Sequence, residues 1–202
     1  MDSQMKLVFA SNNAHKLSEV RAMMPAGIDV LSLHEIGFEH EIDETGTTLA
    51  ENSQIKAETV VNWLKASNKW ESVDGVFADD TGLEIDALGG QPGVYTARWA
   101  GTAESNRAKA LRELAGKDNR NCQFKTVITL ITSDKTAQVE GIVRGQIATE
   151  EYGHGGFGYD PVFIPEGYDK TFGELPAEIK NSISHRARAI AKLVELLKMY
   201  DY

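Results

Sequence analysis

The chain has 202 residues, 42% hydrophobic and 25% charged, and its 30 acidic side chains against 21 basic ones give a formal charge of −9. These are ordinary globular values that exclude disorder, collagen and coiled coil as whole-chain descriptions, and the length suits one domain or two fused lobes with a self-sufficient core. The single cysteine, Cys122, excludes an internal disulfide and a cysteine-built zinc site, while the acidic balance, with no basic face or tail, argues against nucleic acid as a partner.

The opening Met1-Asp2-Ser3-Gln4-Met5-Lys6 carries no basic leader region, and the apolar run Leu7–Ala10 after it is too short for a signal peptide. No stretch approaches the ~18 apolar residues that span a bilayer, so a cytoplasmic protein without a membrane partner is expected. Lys6 to Ala10 reads as a short strand. A helix follows, with Asn13 as N-cap, Leu17, Val20 and Met24 on one face, and Pro25 and Gly27 as stops. Thr48-Leu49-Ala50-Glu51 fits a capping box opening a second helix that buries Ala50, Ala57, Val61 and Leu64. Val76–Ala78 and Leu83–Ile85 read as two strands, with Asp79-Asp80 where the first ends.

Leu88 to Gly93 is rich in turn formers, and a helix from about Glu104 to Leu114 follows. Cys122–Thr132 and Ala137–Ile147, separated by Ser133-Asp134-Lys135, form a predicted antiparallel hairpin. Gly153 to Pro161 is a glycine-rich loop. A closing helix carries Ile183, Ala187, Ile190, Val194 and Leu197 as one stripe. Strand–helix alternation followed by a hairpin predicts an α/β fold with a mixed sheet.

Four groups of residues could carry chemistry. Ser11 to Lys16 stand at a strand-to-helix junction, where free N–H groups and the helix dipole favour anions and Lys16 adds a mobile cation; an ordinary cap followed by a surface lysine explains the same residues. Glu41, Asp43, Glu44 and Asp79-Asp80 offer carboxylates from separate segments, the kind of donor Mg²⁺ requires; solvated turn residues are the plainer reading, and for Glu51 the capping box suffices. In the glycine-rich loop, Phe157 and Tyr159 could stack on a base. Lys180 with Ser184-His185-Arg186 places basic side chains at a helix start, against the dipole preference, which a ligand or a salt bridge would explain. Together they form the inventory for a nucleoside triphosphate bound with Mg²⁺.

These motifs resemble the inosine triphosphate pyrophosphatase family (dITP/XTP pyrophosphatases) over nearly the whole chain. The resemblance rests on Ser11-Asn12-Asn13-Ala14-His15-Lys16, Glu44-Thr45-Gly46, Glu51 to Ala57, Ala78-Asp79-Asp80-Thr81-Gly82-Leu83, Leu88 to Gly93, Gly156-Phe157-Gly158-Tyr159-Asp160-Pro161 and Lys180 to Arg186. Asn12 departs from the family, which often has glycine there; asparagine tolerates unusual backbone angles.

The resemblance implies one domain over residues 1–202: an elongated mixed β-sheet with flanking helices in two lobes and the active site in the cleft between them. It further implies a homodimer and Mg²⁺-dependent hydrolysis of deaminated purine nucleoside triphosphates (ITP, dITP, XTP) to monophosphate and pyrophosphate, keeping them out of DNA and RNA. Carried over, Asp80 is the proton acceptor and a metal ligand, and Glu44 the second metal carboxylate. Ser11, Asn12, Asn13, Ala14, His15, Lys16, Lys56 and Thr81 hold phosphates and metal-bound water. Phe157, Gly158, Tyr159, Asp160, Lys180, His185 and Arg186 hold the nucleoside.

A donor facing position 6, from Arg186, His185 or the loop backbone, would accept the oxo bases and refuse adenine, because each unpaired buried polar group costs ~1–3 kcal/mol. A pyrophosphatase of modified pyrimidine nucleotides and a nucleotide-binding regulator without turnover are the alternatives, separated by a substrate panel and by product analysis.

Overall fold

A computed structural model describes residues 4–200; Met1, Asp2 and Ser3 of the segment read for a leader lie outside the described residues. Among those described, no helix is long and apolar enough to cross a membrane.

Strand β1 (Met5–Phe9) buries Leu7, Val8 and Phe9 completely, as expected of a strand covered on both faces. It runs parallel to β2 (Ile28–Leu31) and to β3 (Gly75–Ile85), with Leu7 opposite both Val30 and Gly75. Between β1 and β2 lies helix α1 (Ala14–Met23), capped by Asn13 and ended by extended Met24 ahead of Pro25. The strand β2 and the one-turn helix α2 (Leu33–Ile36) were not anticipated. Four residues are too few to display a period, though Ser32 and Glu35 form a complete capping box around α2 and Gly37 leaves it at φ 80°.

Helix α3 (Leu49–Ala66) buries Leu49, Ala57, Val60, Val61 and Leu64. Its expected capping box is half made. The Thr48 hydroxyl accepts the Glu51 N–H, but the Glu51 carboxylate reaches one residue further back, accepting the Thr47 N–H at 2.6 Å and its hydroxyl at 3.0 Å.

The two strands expected around Asp79-Asp80 are one. β3 runs unbroken from Gly75 to Ile85, and the acidic pair lies in its middle instead of at an end. Helix α4 (Ala103–Glu113) starts at its Thr102 cap. β4 (Asn121–Thr132) and β5 (Thr136–Ile147) are neighbours joined by a short turn in which the Thr132 N–H donates to the Lys135 carbonyl. β6 (Phe163–Pro165) pairs antiparallel with β5, giving a six-stranded mixed sheet in the order β2-β1-β3-β4-β5-β6.

The closing helix is two helices, α5 (Ala177–Ile183) and α6 (His185–Met199). Ser184 breaks them with an extended backbone, and its hydroxyl accepts the Ala187 N–H at 3.1 Å. The stripe is therefore cut. Of its members only Ile190 and Leu197 are buried, Ala187 and Val194 are half-buried, Ala189 and Leu193 take buried places beside them, and Ile183 packs into a different core.

The chain forms two compact units. One comprises the described residues through Asp80, Val127–Glu140 and the described residues from Ala189 onward; the other comprises Thr81–Thr126 and Gly141–Arg188. The first has two apolar clusters, one around Leu7, Phe9, Phe77 and Leu193, with Phe9 and Phe77 stacked at 4.9 Å, and one around Val8, Leu33, Val60 and Leu64. The second is built on Leu83, Leu114, Phe124, Phe163 and Phe172. Cys122 belongs to that core, and burial pushes its thiol up to about 12.

Candidate active site

In the first unit, the junction between β1 and α1 is held by its own polar groups. The Ala10 N–H donates to Phe77, Ser11 Oγ accepts the Asn13 N–H at 3.1 Å, and Asn13 Oδ1 accepts the N–H groups of His15 and Lys16 at 3.0 and 3.1 Å. Two of the donors expected to be free at this helix start are thus already spent on the cap. Asn12 needs no unusual backbone here. Among the described residues the only non-glycine with positive φ is Asn68.

What Lys16 does bring is its amine, 3.2 Å from Asp79 Oδ1. Successive side chains on a strand alternate in direction, and Asp80 takes a different lysine. The amine of Lys56, from α3, lies 3.5 Å from Asp80 Oδ1 and 3.0 Å from Glu44 Oε1. Of the three carboxylates ahead of α3, Glu41 and Asp43 are exposed, and Glu44 alone is turned onto this amine.

Two lysines therefore face three carboxylates drawn from two segments of the chain. Asp80 is buried, and its Oδ2 has no hydrogen-bond partner among the described residues. Desolvation raises its pKa, with Glu44 and Asp79 adding to the rise while Lys56 and Lys16 only partly oppose it. Desolvation pulls Lys56 downward, but the attraction of Asp80, Asp79 and Glu44 outweighs it, so the lysine stays charged. Among the described residues, no group of three or more His, Cys, Asp or Glu side chains is arranged to hold a metal ion.

The second unit gathers the remaining candidates. Asp160 Oδ2 accepts the Lys180 amine at 2.6 Å and the Phe157 N–H at 2.9 Å. A Cβ on Gly156, which sits at φ 69°, would stand 2.0 Å from that same oxygen, so only glycine lets the loop close this tightly. The Lys180 amine lies 4.5 Å from the centroid of the Phe157 ring, and the Arg186 guanidinium 5.9 Å from it. Arg186 is buried and donates to Thr81 Oγ1 at 3.3 Å; Thr81 in turn shares a 2.9 Å hydroxyl contact with buried Thr126. His185 stacks on Phe124 at 4.7 Å.

The expectation that either loop aromatic could stack on a base is corrected for Tyr159. It is buried against Phe124, donates its hydroxyl to the Thr96 carbonyl at 2.7 Å, and has its pKa raised by burial. Phe157 is half-buried, and its N–H, spent on Asp160, is removed from the possible base-reading donors.

The structure thus brings Lys16, Glu44, Lys56 and Asp80 together in one unit, and Thr81, Phe157, Asp160, Lys180 and Arg186 together in the other. Asp80 and Thr81, consecutive on β3, belong to different sets. Sequence reasoning placed Asp79 among the candidate carboxylates but not as the partner of Lys16, and it gave no place to two residues: Thr126, which holds Thr81, and Arg107, which donates to the Gly158 carbonyl at 2.8 Å and pairs with Glu151, steadying the loop. Long-range pairing leaves no local pattern, so only the acidity of Asp79 could have pointed to it.

The fold agrees with comparisons to known proteins. The chain is 47% identical to the dITP/XTP pyrophosphatase of Flavobacterium johnsoniae over 96% of this chain and 98% of that protein. It is 48% identical to the dITP/XTP pyrophosphatase of Bacillus subtilis over 95% and 96%. Among solved structures, the Staphylococcus aureus Ham1 protein superposes with a TM-score of 0.84 at 38% identity, covering 96% of this chain and 99% of that one. The model of the Ham1 family matches residues 7–196. With its mixed sheet, its lysine–carboxylate set and this near-complete match, the chain belongs to the Ham1 family.

Proposed function

We propose that this protein is a nucleoside triphosphate pyrophosphatase that hydrolyses ITP, dITP and XTP to the monophosphate and pyrophosphate, removing them from the precursor pool of DNA and RNA. The observation that carries the reading is the meeting of Glu44 and Asp80 at the amine of Lys56, with one buried oxygen of Asp80 left without a partner. The relatives named dITP/XTP pyrophosphatase support the substrate class. Acting on the nucleotide pool implies a cytoplasmic location, and the family resemblance implies a homodimer.

Mg²⁺ fits this donor set. It is a hard cation that takes one or two carboxylates together with substrate phosphates and waters, and Glu44 and Asp80 supply two carboxylates, one with an oxygen to spare. When bound, the ion neutralises phosphate charge and makes coordinated water more acidic. The protein's own groups do the rest. Asp80, its pKa raised by burial, is the better proton acceptor for it, and it orients the water that attacks the α-phosphorus and takes its proton.

The bond from that phosphorus to the bridging oxygen breaks, and pyrophosphate leaves. Lys16 and Lys56 are held in place by carboxylates in the free protein and exchange them for phosphate oxygens, stabilising the charge that grows in the transition state.

The second unit's residues take the nucleoside. The Phe157 ring stacks on the base, with Lys180 held beside the ring by Asp160. Arg186, buried and fixed by Thr81, is a donor suited to the 6-oxo group. The experiment is incubation with ITP, dITP, XTP, ATP and GTP in Mg²⁺, with products followed by phosphorus NMR. Pyrophosphate from the deaminated substrates supports the reading; orthophosphate, or equal rates with ATP, refutes it.

A further inference from the structure

Asn52 is fully buried on α3, one helical turn ahead of Lys56 and so on the same face. Its Oδ1 accepts the Gly46 N–H at 2.8 Å. An N–H can only donate, so the oxygen must occupy that side and the amide orientation is fixed. Nδ2 is thereby committed to the other side, where no acceptor among the described residues meets it. The contact is tight as well as specific. A Cβ on Gly46 would stand 2.7 Å from both Asn52 Oδ1 and the Cβ of Glu51. Gly46 follows Glu44 by two residues, and the neighbouring Thr47 is tied to Glu51 in the same first turn of the helix. The segment carrying Glu44 is thus pinned to the helix carrying Lys56, and Asn52 is the buried half of the pin.

We infer that Asn52 is a positioning residue for the divalent cation: its carbonyl oxygen holds the Glu44 segment against α3, and its unspent amide donor is reserved for an oxygen acceptor that arrives with the metal–nucleotide substrate. A clamp alone would leave no reason for the donor to stay buried and unsatisfied, since buried polar groups are almost always paired. The inference rests on the functional reading above and adds to it a residue that neither metal nor phosphate chemistry required.

The test uses the whole protein and its Asn52→Ala and Asn52→Asp variants. Mn²⁺ binding is measured by calorimetry without nucleotide, ITP turnover in Mg²⁺ gives kcat and KM, and circular dichroism reports folding. Groups that orient a metal's ligands typically cost ~10–100-fold in affinity when removed, so Asn52→Ala is expected to weaken Mn²⁺ by that factor and to speed hydrogen exchange at the Gly46 amide. Asn52→Asp keeps the acceptor for Gly46 but lacks the donor. It is expected to hold Mn²⁺ within a few-fold of the parent while raising KM for ITP at least tenfold.

Parent-like Mn²⁺ affinity in Asn52→Ala overturns the positioning role, and parent-like KM in Asn52→Asp overturns the reserved donor. If Asn52→Ala does not fold, Asn52→Ser, which also removes the bond to Gly46 but leaves a smaller cavity, takes its place in the Mn²⁺ measurement, and parent-like affinity there overturns the positioning role. A parent protein that neither binds Mn²⁺ nor hydrolyses ITP refutes the functional reading itself, an outcome distinct from both.

Discussion

Replacing Asp80 by asparagine tests the core of the mechanism, because it should improve the fold while destroying the reaction. Asp80 is buried, one of its oxygens meets no donor among the described residues, and the Lys56 amine stands 3.5 Å from the other. An unsatisfied buried polar group costs ~1–3 kcal/mol, more when charged. Burial raises the folded-state pKa above the ordinary 3.8. The folded protein therefore binds this proton more tightly than the unfolded chain, and the stabilisation from the protonated form is lost as pH rises through the folded value.

At neutral pH the ionised carboxylate works against folding. Asparagine, which has the shape of the acid without its charge, removes the charged part of that penalty. Lys56 loses one partner in the exchange but keeps Glu44 at 3.0 Å, so the net gain should be about 1 kcal/mol. For a chain of this length that is a rise in Tm of about 2–4 °C. The assay is thermal unfolding in EDTA between pH 4 and 8, with the advantage of the variant growing toward neutral pH. Turnover of ITP in Mg²⁺ should fall by at least ~10²–10⁴-fold, the usual worth of a general base. A variant destabilised by about 2 kcal/mol or more, or one that retains near-parental turnover, would refute the assignment of Asp80 as a destabilised catalytic base.

Gly156→Ala should push Asp160 off the Lys180 amine, since the added carbon would stand 2.0 Å from the shared oxygen; KM for ITP is expected to rise at least tenfold while Mn²⁺ binding is unchanged. Phe157→Ala should lose base stacking worth ~1–3 kcal/mol and raise KM about 5–150-fold, whereas Tyr159→Phe, removing only the bond to Thr96, should cost ~1 kcal/mol of stability and leave kcat/KM alone. Equal effects from the two would contradict the division between stacking ring and packing ring. Removing divalent metal with EDTA should abolish turnover reversibly, and light scattering should give twice the chain mass if the dimer forms.

The local features were legible without coordinates. Asn13 caps the helix it precedes, the α3 face follows its period, and the hairpin of β4 and β5 lies where the turn residues put it, because such features depend on neighbours within a few positions. The ordered motifs also sufficed to recognise the family. They could not show that Ser184 would split the last helix, that β3 would run through Asp79 and Asp80, or that the short β2 and α2 exist at all, since each is decided by what packs against it.

The chemistry of the site divides the same way. Residue types mark Lys16 and the carboxylates, Glu44 and Asp80 among them, as fit for phosphate and metal, and the family resemblance adds Lys56 and singles out those two carboxylates. Which carboxylate meets which amine, which of two aromatic rings is buried and bonded, and which oxygen is buried without a partner among the described residues depend on contacts between residues far apart in the chain. Those contacts exist only once burial has removed water as the competing partner, so folding alone could assign them.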